Sequence, residues 1–227
     1  MDARQRLWLQ IPFRWLLQSQ GWMRILHGMP EKHIASDRVI DTLDDLTALV
    51  GHIETLDAVA VDCEMDSFFS YWGRICLIQI GDGNQEWVID PKALDVSSLG
   101  PMFANPNIIK IFHDADQDIR RIKADFGFEV RGLFDTRAAA AALGVESPGL
   151  ASIIKAEFDI VLSKTHQRAN WAKRPLTASM LSYAQLDVAY LHRLMSLFEE
   201  RLQSQGRRAF LDAEHARLEA LSPASEP

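Results

Sequence analysis

A short acidic run directly behind apolar residues limits how this chain can fold. Residues 58–64, AVAVDCE, predict a strand that starts in a core, yet Asp62, Glu64 and Asp66 follow at alternate positions. Because side chains alternate across a strand, Asp62 and Glu64 project from one face, about 7 Å apart. Ionised carboxylates this close are costly to bury without a cation between them. A divalent cation with oxygen ligands meets that need; a solvated strand end with nothing bound is the alternative.

Predicted strands and helices alternate around this run. We expect further strands at 74–80, 86–90 and 107–113, and tight turns make the first three strands an antiparallel meander. Helices are predicted at residues 41–53, 94–103, 115–126, 136–143, 149–158 and 177–202. This order indicates an α/β fold with a mixed sheet of five to six strands flanked by helices.

Composition narrows the functional classes. The 227 residues suffice for a domain with a real core, and no apolar run approaches the length of a membrane span. We therefore expect a cytoplasmic protein without a membrane partner, and free thiols at Cys63 and Cys76. The net charge of −7 disfavours a general nucleic-acid coat protein. It is compatible with an enzyme whose acidic groups hold metal ions.

The predicted domain lies between two extensions. Residues 1–37 form a Trp-rich extension and linker, in which Trp8, Trp15 and Trp22 are spaced by seven, close to two helical turns. Packing on the main domain and a homodimer or partner contact are both open for this stripe. The domain itself is predicted at 38–202. Residues 203–227 are expected to be a helical or disordered tail, without a C-terminal nucleic-acid-binding domain.

Two further stretches place acids near apolar residues. In HDADQDIRRI, Asp114 with Gln117 fits a capping box, so Asp114 is expected to cap the helix. Asp118 lies one turn into that helix, facing either solvent or the sheet edge. In LSYAQLDVAYL, Tyr183 and Asp187 are four apart and therefore share one helical face. A solvated Tyr–Asp contact is the alternative to a functional pair.

Taken in order, these stretches resemble the three motifs of the DEDD 3′–5′ exonucleases, in the subclass with tyrosine in the third motif. YWGRICLIQIGDG, LFDTRAAAAALG and the segment from LSKTHQRANWAKRPL to DVAYL are similar to ribonuclease D and its relatives, over about residues 38–200. The resemblance implies a ribonuclease H-like fold and two divalent cations, Mg²⁺ or Mn²⁺. It implies Asp62, Glu64, Asp118 and Asp187 as metal ligands, and Tyr183 as the residue that orients the attacking water.

Residues near the motifs are candidates for contacts to the nucleic acid. The polar segment 163–176 reverses the acidic character of the chain, and its cations could engage phosphates or form salt bridges in a solvated loop. Trp171 could stack on a base or fill a core. Met65 resembles the family's apolar residue that contacts the terminal nucleotide. A role in local packing is the alternative. The candidates are Met65, Lys164, Arg168, Trp171, Lys173 and Arg174.

Two neighbouring polar residues have simpler explanations. His113 is expected to be a hydrogen-bonded histidine at a strand end, and Asp135 a helix N-cap rather than a fifth ligand.

The resulting hypothesis is a two-metal 3′–5′ exoribonuclease that releases nucleoside 5′-monophosphates from 3′ ends of single-stranded RNA. A DNA exonuclease of the same fold is an alternative, because RNA selection needs a contact to the 2′-hydroxyl. A catalytically silent nucleic-acid-binding module and a small-molecule phosphatase are the others. A pure binder gains nothing from clustered acids near phosphates, and the basic segment argues against the phosphatase.

Overall fold

The computed structural model describes residues 39–67, 70, 73–146 and 148–225. The predictions for the N-terminal extension, including its tryptophan stripe and the dimer contact, lie outside these residues. Within the described ranges, no helix combines the length and the apolar character that a bilayer crossing requires. Cys63 and Cys76 are both free and buried, as expected.

A mixed sheet of six strands forms the centre of the fold, in the order β1-β4-β3-β2-β5-β6. The strands are β1 (Val39–Ile40), β2 (Ala58–Met65), β3 (Ile75–Gly81), β4 (Glu86–Ile89), β5 (Ile109–Phe112) and β6 (Leu133–Asp135). Strands β2, β3 and β4 form the predicted antiparallel meander. The other pairs, β1 with β4, β5 with β2 and β6 with β5, are parallel. The predicted fold class is therefore confirmed.

Helices flank this sheet. They are α1 (Leu43–Ile53), α2 (Gly100–Ala104), α3 (Asp116–Phe126), α4 (Thr136–Ala142), α5 (Leu150–Phe158), α6 (Ala178–Ala189), α7 (Leu191–Ser204) and α8 (Arg208–Glu219). The helical segment predicted at 177–202 is confirmed, and it consists of two helices. The break lies at Tyr190, whose φ of −110° ends α6 and precedes α7. The helix predicted at 94–103 is shorter, a 3₁₀ turn at Ser97–Leu99 followed by α2.

The two faces of the sheet carry different cores because side chains alternate along each strand. Val61 and Ile80 point to the face that α1 and α3 cover, where Leu46 and Ile119 complete the core. Ala60 points to the opposite face and packs with residues of α7. Helix α6 packs on β2, β3 and β4. Alternation from Ala60 places Asp62 and Glu64 on this second face.

Helix α8 lies in the segment predicted as a helical or disordered tail. Its Leu211 and Leu218 are buried. The Nε2 atom of His215 accepts a hydrogen bond from the backbone N–H of Asp135 at 3.0 Å. Lys123 of α3 donates to the carbonyl oxygens of Glu219 and Leu221, each at 2.9 Å. These bonds tie the end of α8 to the helix that carries Asp118.

Lys110 of β5 is fully buried and holds the loop ahead of its own strand. Its ammonium donates to the carbonyl oxygens of Asn105 and Ile108 at 2.7 Å each, and of Met102 at 3.3 Å. The three N–H groups of a lysine therefore match three backbone acceptors.

We predict that Lys110→Met lowers the free energy of unfolding by about 2 to 4 kcal/mol, because buried carbonyl oxygens lose their donor. Urea denaturation of the variant and the unchanged chain measures the difference. Lys92→Met, at an exposed lysine, is the matched control and should leave the midpoint unchanged. Equal midpoints for Lys110→Met and the unchanged chain would contradict the role of this ammonium.

Candidate metal centre

Strand β2 and helix α6 bring three carboxylates together. Asp62 and Glu64 extend from one face of β2, and Asp187 lies in α6, which packs on that face. Each offers a carboxylate oxygen, and these oxygens lie within 4.8 Å of one another. Residues more than 120 positions apart in sequence thus form one cluster, as the resemblance implied.

The fourth acid comes from the start of α3. Asp118 lies in the first turn of this helix and is 8% exposed. Its pKa is raised well above the usual range, first by burial and then by the charge of Asp62. Asp118 therefore faces the other acids rather than solvent, which decides between the two orientations left open by the sequence.

Asp135, at the end of β6, holds the start of α3 in place. Its carboxylate accepts hydrogen bonds from the backbone N–H groups of Asp114 at 3.2 Å and Ala115 at 2.7 Å. It also accepts from the N–H groups of Arg137 and Ala138, which confirms it as the N-cap of α4. The predicted capping role of Asp114 is wrong, because its φ is +70° and its side chain pairs with Arg137.

Burial raises the pKa of all four acids, and like charge raises it further for Glu64, Asp118 and Asp187. Burial raises the pKa of Asp62 to about 7. The pKa of Glu64 rises to about 10, through burial and then through Asp62, Asp187 and Asp118. The pKa of Asp187 is raised by burial and by Asp62.

Along the described part of the chain, no lysine or arginine forms an ion pair with any of these four acids. Asp118 is buried and the other three acids are half-buried. Four carboxylates held together in this way without a cationic side chain are costly unless another cation compensates them. Their donor set is entirely oxygen, which suits hard divalent cations such as Mg²⁺. The residues present therefore fit the metal ions that the family implies.

Tyr183 lies beside the cluster, four residues before Asp187 on α6. Its ring centroid is 6.0 Å from that of Trp171 and 6.0 Å from that of His166. Burial raises the pKa of Tyr183 further above its ordinary value, and Asp187 and Glu64 add to this. The phenol therefore keeps its proton at neutral pH and is a hydrogen-bond donor, not a base.

The structure corrects the prediction that Trp171 stacks on a base. Trp171 is 1% exposed and packs in a cluster with Leu77 and Val88. Its indole face supports Tyr183 instead. A buried ring of this size fills the space between the polar segment and the sheet, which the sequence alone did not distinguish from an exposed stacking surface.

The predicted phosphate contact of Arg174 is also wrong. Its guanidinium forms a bidentate pair with Asp90, at 2.6 and 2.8 Å, and donates to the carbonyl oxygens of Cys76 and Trp171. These bonds use the side chain to tie the polar segment to the sheet. Lys164, Arg168 and Lys173 are exposed, so their contact with nucleic acid stays a prediction.

Two other predicted positions lie near the cluster. Met65 is half-buried and lines a cavity of about 230 Å³ together with Gly73 and Gln117, and its contact with a nucleotide stays a prediction. His113 is hydrogen-bonded, with Nδ1 2.9 Å from the Oγ1 of Thr136, as expected for a strand-end histidine.

One polar residue beside the cluster is absent from the predicted site residues. Gln79 stands directly opposite Asp62 in the β2–β3 ladder. A glutamine inside the apolar run CLIQI was the available signal.

The mixed sheet and the converging acids define an α/β protein with an oxygen-rich site for divalent cations. A family model described as 3′–5′ exonuclease matches residues 38–203, so the chain belongs to this family. Ribonuclease D from Zymomonas mobilis is 38% identical over 177 residues, which are 76% of this chain. They are only 45% of that protein, so the chain spans less than half of this relative.

Solved structures agree with this assignment. The catalytic core of RRP6 from Trypanosoma brucei superposes with a TM-score of 0.79 at 30% identity, covering 93% of this chain and 61% of that one. Brucella melitensis NrnC with bound Mg²⁺ gives a TM-score of 0.66 at 29% identity, covering 73% of this chain and 83% of that one. NrnC has also been solved bound to pGG. The ribonuclease H-like fold and the resemblance to ribonuclease D are thus confirmed.

The raised pKa values predict how the metal-free protein responds to pH. The pKa of Asp62 rises from 3.8 in the unfolded chain to about 7 in the folded one. Between these values the folded chain holds a proton that the unfolded chain has released, so the free energy of unfolding falls as pH rises. We expect the melting temperature in EDTA to fall from pH 4.5 to 7.5, and to fall less in Asp62→Asn.

Thermal melts of both proteins across this range measure the effect. Asp57→Asn, an exposed acid just ahead of β2, is the control and should follow the unchanged chain. A parallel pH dependence in Asp62→Asn and the unchanged chain would contradict the raised pKa of Asp62 in the folded protein. Added Mg²⁺ or Mn²⁺ should raise the melting temperature most at pH 7.5, since bound ligand stabilises the folded state.

Proposed function

We propose that this protein is a metal-dependent 3′–5′ exoribonuclease that shortens single-stranded RNA from its 3′ end. The observation that carries the proposal is the convergence of the carboxylates of Asp62, Glu64 and Asp187 within 4.8 Å. Asp118 is buried in the first turn of α3. Family membership and the ribonuclease D relative support the reaction class. The proposed products are nucleoside 5′-monophosphates, and the proposed setting is RNA processing.

The four acids would hold two divalent cations, Mg²⁺ or Mn²⁺. When bound, such ions lower the pKa of a water molecule and stabilise the charge of a leaving oxygen. The Mg²⁺ in NrnC supports this choice. In the reaction, the oxygen of water bonds to phosphorus and the bond from phosphorus to the 3′ oxygen breaks, with a proton passing to the leaving oxygen.

Tyr183 orients the attacking water in this proposal. Its phenol is protonated at neutral pH, so it donates a hydrogen bond and does not remove a proton. Trp171 and His166 restrain its ring. We therefore propose that the chain belongs to the subclass with tyrosine in the third motif.

The substrate strand would lie along the exposed cations of the polar segment. Lys164, Arg168 and Lys173 would contact phosphates, and Met65 would contact the terminal nucleotide. RNA is preferred over DNA as the proposed substrate because the relative is a ribonuclease D. The cytoplasmic location and the homodimer contact through residues 1–37 stay predictions.

A degradation assay tests the reaction. Purified protein is incubated with 3′- and 5′-labelled single-stranded RNA and DNA, in Mg²⁺, Mn²⁺ or EDTA. We expect stepwise shortening of RNA from the 3′ end that requires metal and is lost in Asp62→Asn. Asp57→Asn should match the unchanged chain. Tyr183→Phe should retain the metal requirement and slow the reaction, by about 10-fold or more if its hydroxyl orients the water.

Each other outcome points to a different function. Faster shortening of DNA than RNA would favour the DNA exonuclease. Binding without degradation in every metal would favour a silent nucleic-acid-binding module. Degradation that persists in EDTA or in Asp62→Asn would contradict the carboxylate site.

The exposed cations yield a separate prediction. In an inactive Asp62→Asn background, Lys164→Ala, Arg168→Ala and Lys173→Ala together should weaken RNA binding and make it less sensitive to salt. Three lost phosphate contacts should reduce the slope of log K against log salt by about 2. Fluorescence anisotropy at several salt concentrations measures the slope.

A triple variant elsewhere controls for net charge. Lys92→Ala, Arg131→Ala and Lys155→Ala change the charge equally at exposed positions outside the segment. If both triple variants reduced the slope of log K against log salt equally, a local contact between the polar segment and RNA would be refuted.

A further inference from the structure

Gln79 carries a buried amide group that makes no hydrogen bond to any described residue. Its side chain is 0% exposed in the middle of β3. Neither its Nε2 nor its Oε1 atom has a hydrogen-bond partner among the described residues. A buried polar group without a partner costs about 1–3 kcal/mol. Such a group therefore calls for a role beyond packing.

Its neighbours in the sheet leave one polar side chain within reach. Gln79 pairs with Asp62 across the antiparallel ladder and with Val88 on the other side. Directly opposed residues share a face, with Cβ atoms about 4.5 to 5.5 Å apart. On its own strand, the same face carries Leu77 and Gly81. Among these neighbours, only Asp62 can take part in a side-chain hydrogen bond.

Helix α6 supplies the other polar group near this face. Gln185 is 1% exposed, and its Nε2 donates to the carbonyl oxygen of Glu86 at 3.3 Å. Glu86 pairs with Gly81, two residues along β3 from Gln79. A structural pair of Gln79 with Gln185 is therefore the rival explanation that an experiment has to separate.

We propose that Gln79 is a positioning residue for the metal centre, and that its Nε2 donates a hydrogen bond to the carboxylate of Asp62 when that carboxylate holds a cation. This inference rests on the proposed function. A ligating carboxylate is oriented by hydrogen bonds from groups behind it. Gln79 stands at the right place in the ladder to supply one.

The neutrality of the amide suits this position. A lysine or arginine beside Asp62 would compensate its charge and compete with a divalent cation for it. A carboxamide donates a hydrogen bond without adding positive charge. It can therefore fix the orientation of the carboxylate while leaving the charge for the metal.

Gln79→Met tests the proposal, since methionine has a similar length and lacks the amide. Calorimetric titration of the full chain with Mn²⁺, without nucleic acid, measures metal affinity, and melts in EDTA measure stability. We expect the Kd for Mn²⁺ to rise about 10-fold or more. The melting temperature in EDTA should stay the same or rise, because an unpartnered amide has been removed.

Two further variants sharpen the comparison. Gln79→Leu repeats the test with a different apolar shape and should give the same pair of results. Ile80→Val alters a fully buried residue on the opposite face of the same strand. It should lower the melting temperature and leave the Kd for Mn²⁺ unchanged.

The outcomes separate the possible explanations. An unchanged Kd in both Gln79 variants would overturn the proposal. A lower melting temperature in EDTA alongside it would indicate a structural amide paired with Gln185. Failure of the unchanged chain to bind Mn²⁺ would overturn the metal centre and this inference together. The Gln79 variants can also be compared in activity: a higher Kd for Mn²⁺, together with a loss of activity that high Mn²⁺ restores, would support a role exerted through the metal ligand Asp62.

Discussion

Four carboxylates, one buried and three half-buried, lie beside the C-terminal half of β2. They repel one another when they are ionised, and the surrounding elements hold them against that repulsion. The charges of Asp62, Asp187 and Asp118 all raise the pKa of Glu64. Since no lysine or arginine in the described ranges pairs with them, the scaffold must fix the acids by other means. When the acids are ionised, their repulsion favours the binding of divalent cations, because a bound cation offsets the charge of the carboxylates that it contacts.

Several cationic side chains form hydrogen bonds and ion pairs around the acidic cluster rather than within it. Arg174 joins Asp90 to the polar segment, and Lys110 closes the loop before β5. Arg121 pairs with Asp125 on α3. These bonds restrain the helix that carries Asp118, the segment ahead of α6 and the loop ahead of β5. A positive side chain placed among the acids would lower the repulsion and with it the drive to bind metal, so keeping the cations apart preserves the site.

The sequence predicted those features that depend on neighbouring residues. The alternation at Ala58–Met65 and the four-residue spacing of Tyr183 and Asp187 were enough to orient these acids. Contacts between distant segments decided the errors. Trp171 meets Tyr183 in space, and Arg174 meets Asp90, and neither contact has a local pattern. Strand β6 was not predicted, because three residues are too few to display alternation.

The contacts around Asp118 extend beyond the stretch that the family model matches. That match ends at residue 203, yet His215 of α8 accepts the backbone N–H of Asp135. Asp135 in turn binds the N–H groups just ahead of α3, while Lys123 joins α3 to the end of α8. Both ends of the helix that carries Asp118 are therefore linked to α8. Because a displaced ligand weakens a metal site, the segment after residue 203 belongs to the physical unit that positions the fourth acid.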